Sequence, residues 1–161
     1  GFASVLVYPT VFLAHDHATD EAGVVHERRQ WRGGQTEAGG PLVLALPEVA
    51  HSGHGGGYNV VVHECAHQLD LLGTGTGMPP LHRDMSRTAW TRAFTAAFEH
   101  LGAAVEAGTR TALDAYAAQA PEEFFAVASE AFFETPRTLR RAYPDVYAQL
   151  AQFYRLDPLR L

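Results

Sequence analysis

Cysteine is nearly absent from this chain. The single thiol, Cys65, leaves no partner for an internal disulfide and fits a reducing compartment, so a cytoplasmic location is expected. Basic residues are scarce too: twelve against eighteen acidic ones, for a formal net charge of −6. Nucleic-acid binders carry a basic stripe or patch. Here the densest positive spot is Arg137, Arg140 and Arg141, read as a solvated helix face. Long apolar runs are also missing. The longest, around Val5 to Ala14, contains Tyr8, Pro9 and Thr10 and is too short to span a bilayer. No basic segment precedes it in the manner of a secretory signal. Neither nucleic acid nor a membrane is expected as a partner. The first residue is Gly1 rather than Met, as in a processed or excised piece of a longer chain.

What is present describes a globular protein. The 161 residues are 47% hydrophobic and 19% charged, which suits one domain over 1–161 with one core. The stretch "SVLVYPTVFLA" (4–14) reads as a strand, and "PLVLALP" (41–47) as a short or edge strand between prolines. Between them "ERRQWRGGQTEAGG" reads as a turn or hairpin with loops. Asn59 is placed to cap a helix that ends near Gly73, and Ser86 to cap another reaching about Gly108. Along the latter, Trp90, Phe94, Ala97 and Leu101 share one side. Pro121 opens a helix with Glu122 and Glu123 in its positive first turn, and Pro144 opens the last. The fold class is α+β, helix-dominant with a small sheet.

The chemistry concentrates in "HECAHQLD", residues 63–70. At about 100° per residue, His67 lies about 40° and Asp70 about 20° from His63, while Glu64 is offset by about 100°. Four-residue spacing lets two imidazoles reach one ion at about 2.0–2.1 Å. Glu64 is badly placed to join them as a ligand and well placed to hold a water beside the metal as its base. Cys65, Val61, Val62, Leu69 and Leu72 form an apolar back. Asp70 is a candidate to hydrogen-bond a ligand imidazole and set its tautomer.

An open catalytic zinc site needs a third protein ligand. A continued histidine motif would need Gly at 70 and His at 73, where Asp70 and Gly73 stand. Downstream, Asp84 is the only nearby acid and lies in a Pro-rich loop. The helix "EEFFAVASEAFFE" offers Glu123, Glu130 and Glu134 in one narrow sector, with Phe124, Phe125, Phe132 and Phe133 around the rest. Three acids cannot all touch one ion.

The stretches "YNVVVHECAHQLD", "LDAYAAQAPEEFFAVASEAFFETP" and "AQFYRLDPL" resemble the zinc peptidases of the Mlc titration factor A family and, more distantly, the catalytic domain of anthrax lethal factor. The likeness covers nearly the whole chain. It implies a zincin-like (gluzincin) fold holding one zinc ion per chain on His63, His67 and Glu123. Glu64 would be the base, Glu130 a supporting residue and Tyr116 an aid to catalysis. It implies a peptide or protein substrate. It also implies a binding alternative, since enterobacterial members sequester the transcriptional repressor Mlc. Two departures stand out. Family members usually carry a further segment ahead of the "VLVYP" strand. The loop "HSGHGGGY" is also unusually rich in His and Gly; His51 and His54 there, and His15 and His17 beside Asp16, are read as loop histidines rather than a second metal site.

Overall fold

The computed structural model describes residues 4–19, 25–37 and 39–161, with 14–19 and 25–32 described as backbone alone. His15, Asp16 and His17 therefore lie outside the described side chains. The N-terminal apolar run forms two strands rather than one: β1 (Val5–Tyr8) and β2 (Phe12–Thr19) flank the break at Pro9 and Thr10, where proline has no N–H to donate to a ladder. β2 pairs antiparallel with β3 (Val25–Arg32) as a separate ribbon. The stretch read as turn and loops is thus largely strand, ending in β4 (Gly34–Thr36).

The main sheet has the order β1-β5-β4, with β5 (Leu42–Ala45) parallel to β1 and antiparallel to β4. This corrects the edge position considered for "PLVLALP". Pro41 and Pro47 lie just outside the paired residues, so neither interrupts the ladder, and both sides of β5 are taken. β4 and β1 are the edges.

Helices follow. α1 (Leu46–His51) places Pro47 in its first turn, where the missing N–H costs nothing. α2 (Val60–Leu71) carries the histidines. Asn59 caps it, accepting from the Val62 amide. α3 (Arg87–Glu106) is capped by Ser86. A 3₁₀ turn (Ala115–Ala118) precedes α4 (Pro121–Glu134); α5 (Pro136–Ala142), α6 (Pro144–Tyr154) and a second 3₁₀ turn (Pro158–Arg160) follow. No described helix is long and apolar enough to cross a membrane. The main core gathers side chains of α3, α4 and α6: Trp90 stacks on Phe94 at 4.2 Å, and Phe125 and Phe153 pack against Trp90. Each fully buried phenylalanine contributes about 1.5–3 kcal/mol, so this core is the frame on which α4 is held.

α2 is wedged between two packings. Val60, Val61 and Cys65 meet Leu42 and Leu44 of β5, while the opposite side faces α4. Its deepest residues are not on the expected apolar back. Val60, Glu64, Ala66 and Asp70 are buried, whereas Leu72 is 60% exposed. The polar side is the covered one because α4 and β4 close over it.

Candidate metal centre

Two elements build the site. His63 and His67 stand one turn apart on α2, their rings edge to face with centroids 4.7 Å apart. Glu123 enters from the first turn of α4. The three ligand atoms form a tight triangle: the two Nε2 atoms are 3.1 Å apart, and Glu123 Oε2 lies 3.2 Å from one and 3.4 Å from the other. A tetrahedral ion with bonds of about 2.0–2.1 Å separates its ligands by about 3.3–3.4 Å. Glu123 Oε2 is buried and makes no well-aligned hydrogen bond, as a ligand oxygen reserved for a cation would be. These residues fit a metal ion.

The stripe of acids on α4 is fully used along α2. Glu130, 3% exposed, accepts from His63 Nδ1 at 2.8 Å and from the Asn59 amide at 2.5 Å. That leaves His63 Nε2 facing the triangle, and the tautomer is fixed by the carboxylate behind it. Glu134 accepts from the Asn59 side-chain amide and from the Gly55 N–H, each at 2.8 Å.

Asp70 behaves differently from the expectation. Its Oδ2 accepts from the Gly77 amide at 2.8 Å, and its Oδ1 has no hydrogen-bond partner among the described residues. It anchors the loop after α2 rather than a ligand imidazole. Tyr116 lies at the cleft with its ring 6.2 Å from that of His63; the Asp114 carboxylate caps its amide. His51 Nδ1 and His54 Nε2 contact the Pro47 and Ala50 carbonyls, and neither joins a metal-capable cluster among the described residues.

Sequence reasoning missed the wall opposite α4. The cleft, about 1070 Å³, is floored by the metal triangle and bounded by Gly33, Gly34, Gln35 and Thr36. Thr36 Oγ1 donates to the Glu64 carbonyl at 3.2 Å, tying β4 to α2. A Cβ on Gly34 would lie 2.5 Å from Glu64 Oε1. The signal was available: a glycine inside a strand marks close backbone approach. Gly34→Ala is expected to push the Glu64 carboxylate aside. The clash reaches Glu64 Cγ at 2.6 Å as well as the carboxylate, and the side chain is buried, so some stability should be lost along with its position. A misplacement of about 1 Å costs roughly 10²-fold in rate. Comparing Tm with turnover checks this; an active alanine variant overturns the contact's importance.

The charges are interdependent. Burial opposes protonation of His63, but the Glu123 and Glu130 carboxylates outweigh it and push its pKa up to about 10. Burial likewise raises Glu123, and the imidazoles of His63 and His67 more than reverse this, bringing it to about 2. Burial pushes the Glu64 carboxyl up, against the pull of Thr36 and the histidines. Without metal, His63 therefore carries a proton at neutral pH, and a ligand imidazole must lose it. Metal uptake at pH 7 should release about one proton, and apparent affinity should climb as pH rises toward about 10. The metal-free fold has the opposite trend: the raised value stabilises it fully below 6.5 and is lost through about 10. Calorimetry in buffers of different ionisation enthalpy reads the proton count; zero release contradicts the charge assignment.

Two imidazoles, a carboxylate and an adjacent base are the equipment of metal-dependent peptidases, and comparison with known proteins points to the same class. The family model described as glucose-regulated metallo-peptidase M90 matches residues 1–155. The chain belongs to this metallopeptidase family. It is also 40% identical over 165 residues to Mlc titration factor A of Edwardsiella ictaluri, covering 99% of this chain and 62% of that protein. The proteins of that name from Serratia proteamaculans and Yersinia enterocolitica are each 40% identical over 164 residues, again across 99% of this chain and 62% and 61% of theirs. The chain thus spans about three-fifths of the length of the curated relatives it matches.

Proposed function

We propose that residues 1–161 form one zincin-like catalytic domain of a zinc-dependent peptidase. His63, His67 and Glu123 hold a single zinc ion, and Glu64 handles the proton. The observation that carries this reading is the triangle of Nε2, Nε2 and Oε2 atoms at 3.1–3.4 Å, with a buried carboxylate beside it. Two imidazoles and one carboxylate are the donor set of open zinc sites. Zinc, when bound, supplies Lewis acidity that sharpens a water as nucleophile and polarises the scissile carbonyl.

The chain's own residues do the rest. Glu64 takes a proton from the attacking water and later passes it to the leaving amine; its raised pKa suits a base that must also act as acid. Glu130 keeps His63 in one tautomer and orientation. Tyr116 reaches the substrate's developing oxyanion with a hydrogen bond. The extended peptide lies along β4, the edge that bounds the cleft, with backbone pairing to Gly34–Thr36. β5 has both edges occupied and is not available for that pairing.

Tyr116→Phe should lower kcat by up to roughly 10²- to 10³-fold at unchanged zinc content; an unchanged kcat returns Tyr116 to a packing role. The relatives' name ties them to titration of Mlc. We extend to this chain a protein partner of that kind, and a cytoplasmic site of action in keeping with its lone thiol. A binding module without catalysis gives Glu64 no task, so we do not favour it. The deciding experiment measures zinc content and peptide hydrolysis of this chain with and without a chelator. About one zinc per chain with chelator-sensitive hydrolysis is expected. No zinc, two tightly held ions, or hydrolysis indifferent to chelation refutes the proposal.

A further inference from the structure

The ligand-bearing turn of α4 has Pro121 at its start but no side-chain cap. Ala120 at its N-cap offers no side-chain hydrogen bond, and the first turn of a helix has free amides and frays unless something holds it. Yet Glu123 must keep its oxygen 3.2 Å and 3.4 Å from two nitrogens on another helix. Phe124 and Phe125 anchor this turn in the core, and its other side packs against the loop that leaves α2. Its Gly73 and Gly75 amides fold back onto the Asp70 carbonyl at 2.8 Å and 3.0 Å, and its Gly77 amide meets the Asp70 carboxylate at 2.8 Å. On the other side of the same residue, Trp90 Nε1 donates to the Gly77 carbonyl at 3.3 Å. Asp70 and Trp90 are each 1% exposed. Held from both ends, Gly77 lies flat against the peptide one residue before Glu123: a Cβ there would be 2.6 Å from the Pro121 oxygen and 3.3 Å from the Glu122 nitrogen. Its φ of +82° also favours glycine.

We propose that Asp70, Gly77 and Trp90 are positioning residues that set the distance between Glu123 and the two histidines. Asp70 sits one turn beyond His67 on α2, so the clamp links the two ligand-bearing elements through backbone contacts. Glu130 ties the same helices two turns further along, at His63 and Asn59. α4 is therefore pinned at both ends of its metal-facing stripe. An ion site tolerates only about 0.5 Å of play in its ligands. Loosening the pin at Asp70 or Gly77, which lie outside the phenylalanine core, should move Glu123 while leaving that core intact. The inference rests on the reading of His63, His67 and Glu123 as metal ligands.

The test is a double-mutant cycle read as zinc affinity by chelator competition, with Tm measured alongside. Asp70→Ala should bind zinc about 10- to 100-fold more weakly. Asp70→Asn, which still accepts from the Gly77 amide, should stay near the parent. In a Glu123→Ala background, Asp70→Ala should leave the weak residual affinity of the histidine pair unchanged, because the clamp acts through the missing glutamate. Gly77→Ala should copy Asp70→Ala. Trp90→Phe removes the N–H together with part of the buried indole, so it should lower Tm and, in the folded protein, weaken zinc binding in the same direction. Asp70→Ser, which shortens the side chain away from the Gly77 amide, serves if the alanine variants do not fold. Equal losses with and without Glu123, or a fall in Tm at unchanged zinc affinity in the folded variants, overturns the proposal. A non-additive cycle in a protein that hydrolyses no peptide leaves the clamp standing and sinks the peptidase reading. A parent chain that takes up no zinc sinks both.

Discussion

Glu64→Gln is expected to keep the metal ion and lose turnover, by about 10²- to 10⁴-fold in kcat. The amide preserves the shape that fits against Gly34 but cannot accept the water's proton. Stability distinguishes this from simple damage. Glu64 is 7% exposed, and burial raises its pKa, so its ionised form works against folding. That cost is absent below the ordinary carboxylate value and present once pH exceeds the raised one. A neutral glutamine removes it, so Tm should hold or rise while activity falls. Zinc analysis, Tm and peptide hydrolysis on one preparation check all three. Hydrolysis at the parent rate removes Glu64 from the mechanism; lost zinc makes it a structural residue.

The helices that carry the site were legible in the sequence because their signals are local. Asn59, Ser86, Pro121 and Pro144 mark helix starts by capping and proline chemistry, and each stands at the start of a helix. The four-residue histidine spacing needs only the helix itself. The acid stripe on α4 was visible as well, since acids sharing one side of a phenylalanine-rich helix require something polar to face. What that stripe faces is a tertiary fact. The pairing of Glu130 with both His63 and the Asn59 amide depends on how α2 and α4 cross, which periodicity does not contain. Strand order was hidden for the same reason. A short apolar run between prolines is equally consistent with an edge or a centre, and only the parallel partner at β1 decides it. Asp70 shows the limit of angular reasoning. It lies within about 20° of His63 on the helical wheel, yet its carboxylate turns to the loop at Gly77. Helical angle says which side a residue is on and not which neighbour arrives there.

The sharpest expectation separates two glutamates of that stripe. Glu123 and Glu130 are two turns apart, about 10 Å along the axis, so one ion cannot touch both. Glu123 Oε2 lies at 3.2 Å and 3.4 Å from the two Nε2 atoms and makes no well-aligned hydrogen bond. Glu130 has both oxygens engaged, one on His63 Nδ1 and the other on the Asn59 amide. Removing each should therefore do different damage. Glu123→Ala takes away one of three donors and should abolish tight zinc binding. It also removes the carboxylate that pairs with His63 in the metal-free fold, so part of that fold's stability at neutral pH should go with it. Glu130→Ala leaves the donors in place but frees the His63 ring and strands the Asn59 amide. Zinc affinity should fall about 10- to 100-fold, and stability should drop by up to about 1–3 kcal/mol for the orphaned, half-buried donor. Zinc titration thus separates the two variants, Glu123→Ala losing the site and Glu130→Ala keeping a weakened one, while thermal unfolding reads the stability each loses with its contact to His63. Normal zinc binding by Glu123→Ala beside a metal-free Glu130→Ala would reverse the two roles and move the ion a full two turns along α4.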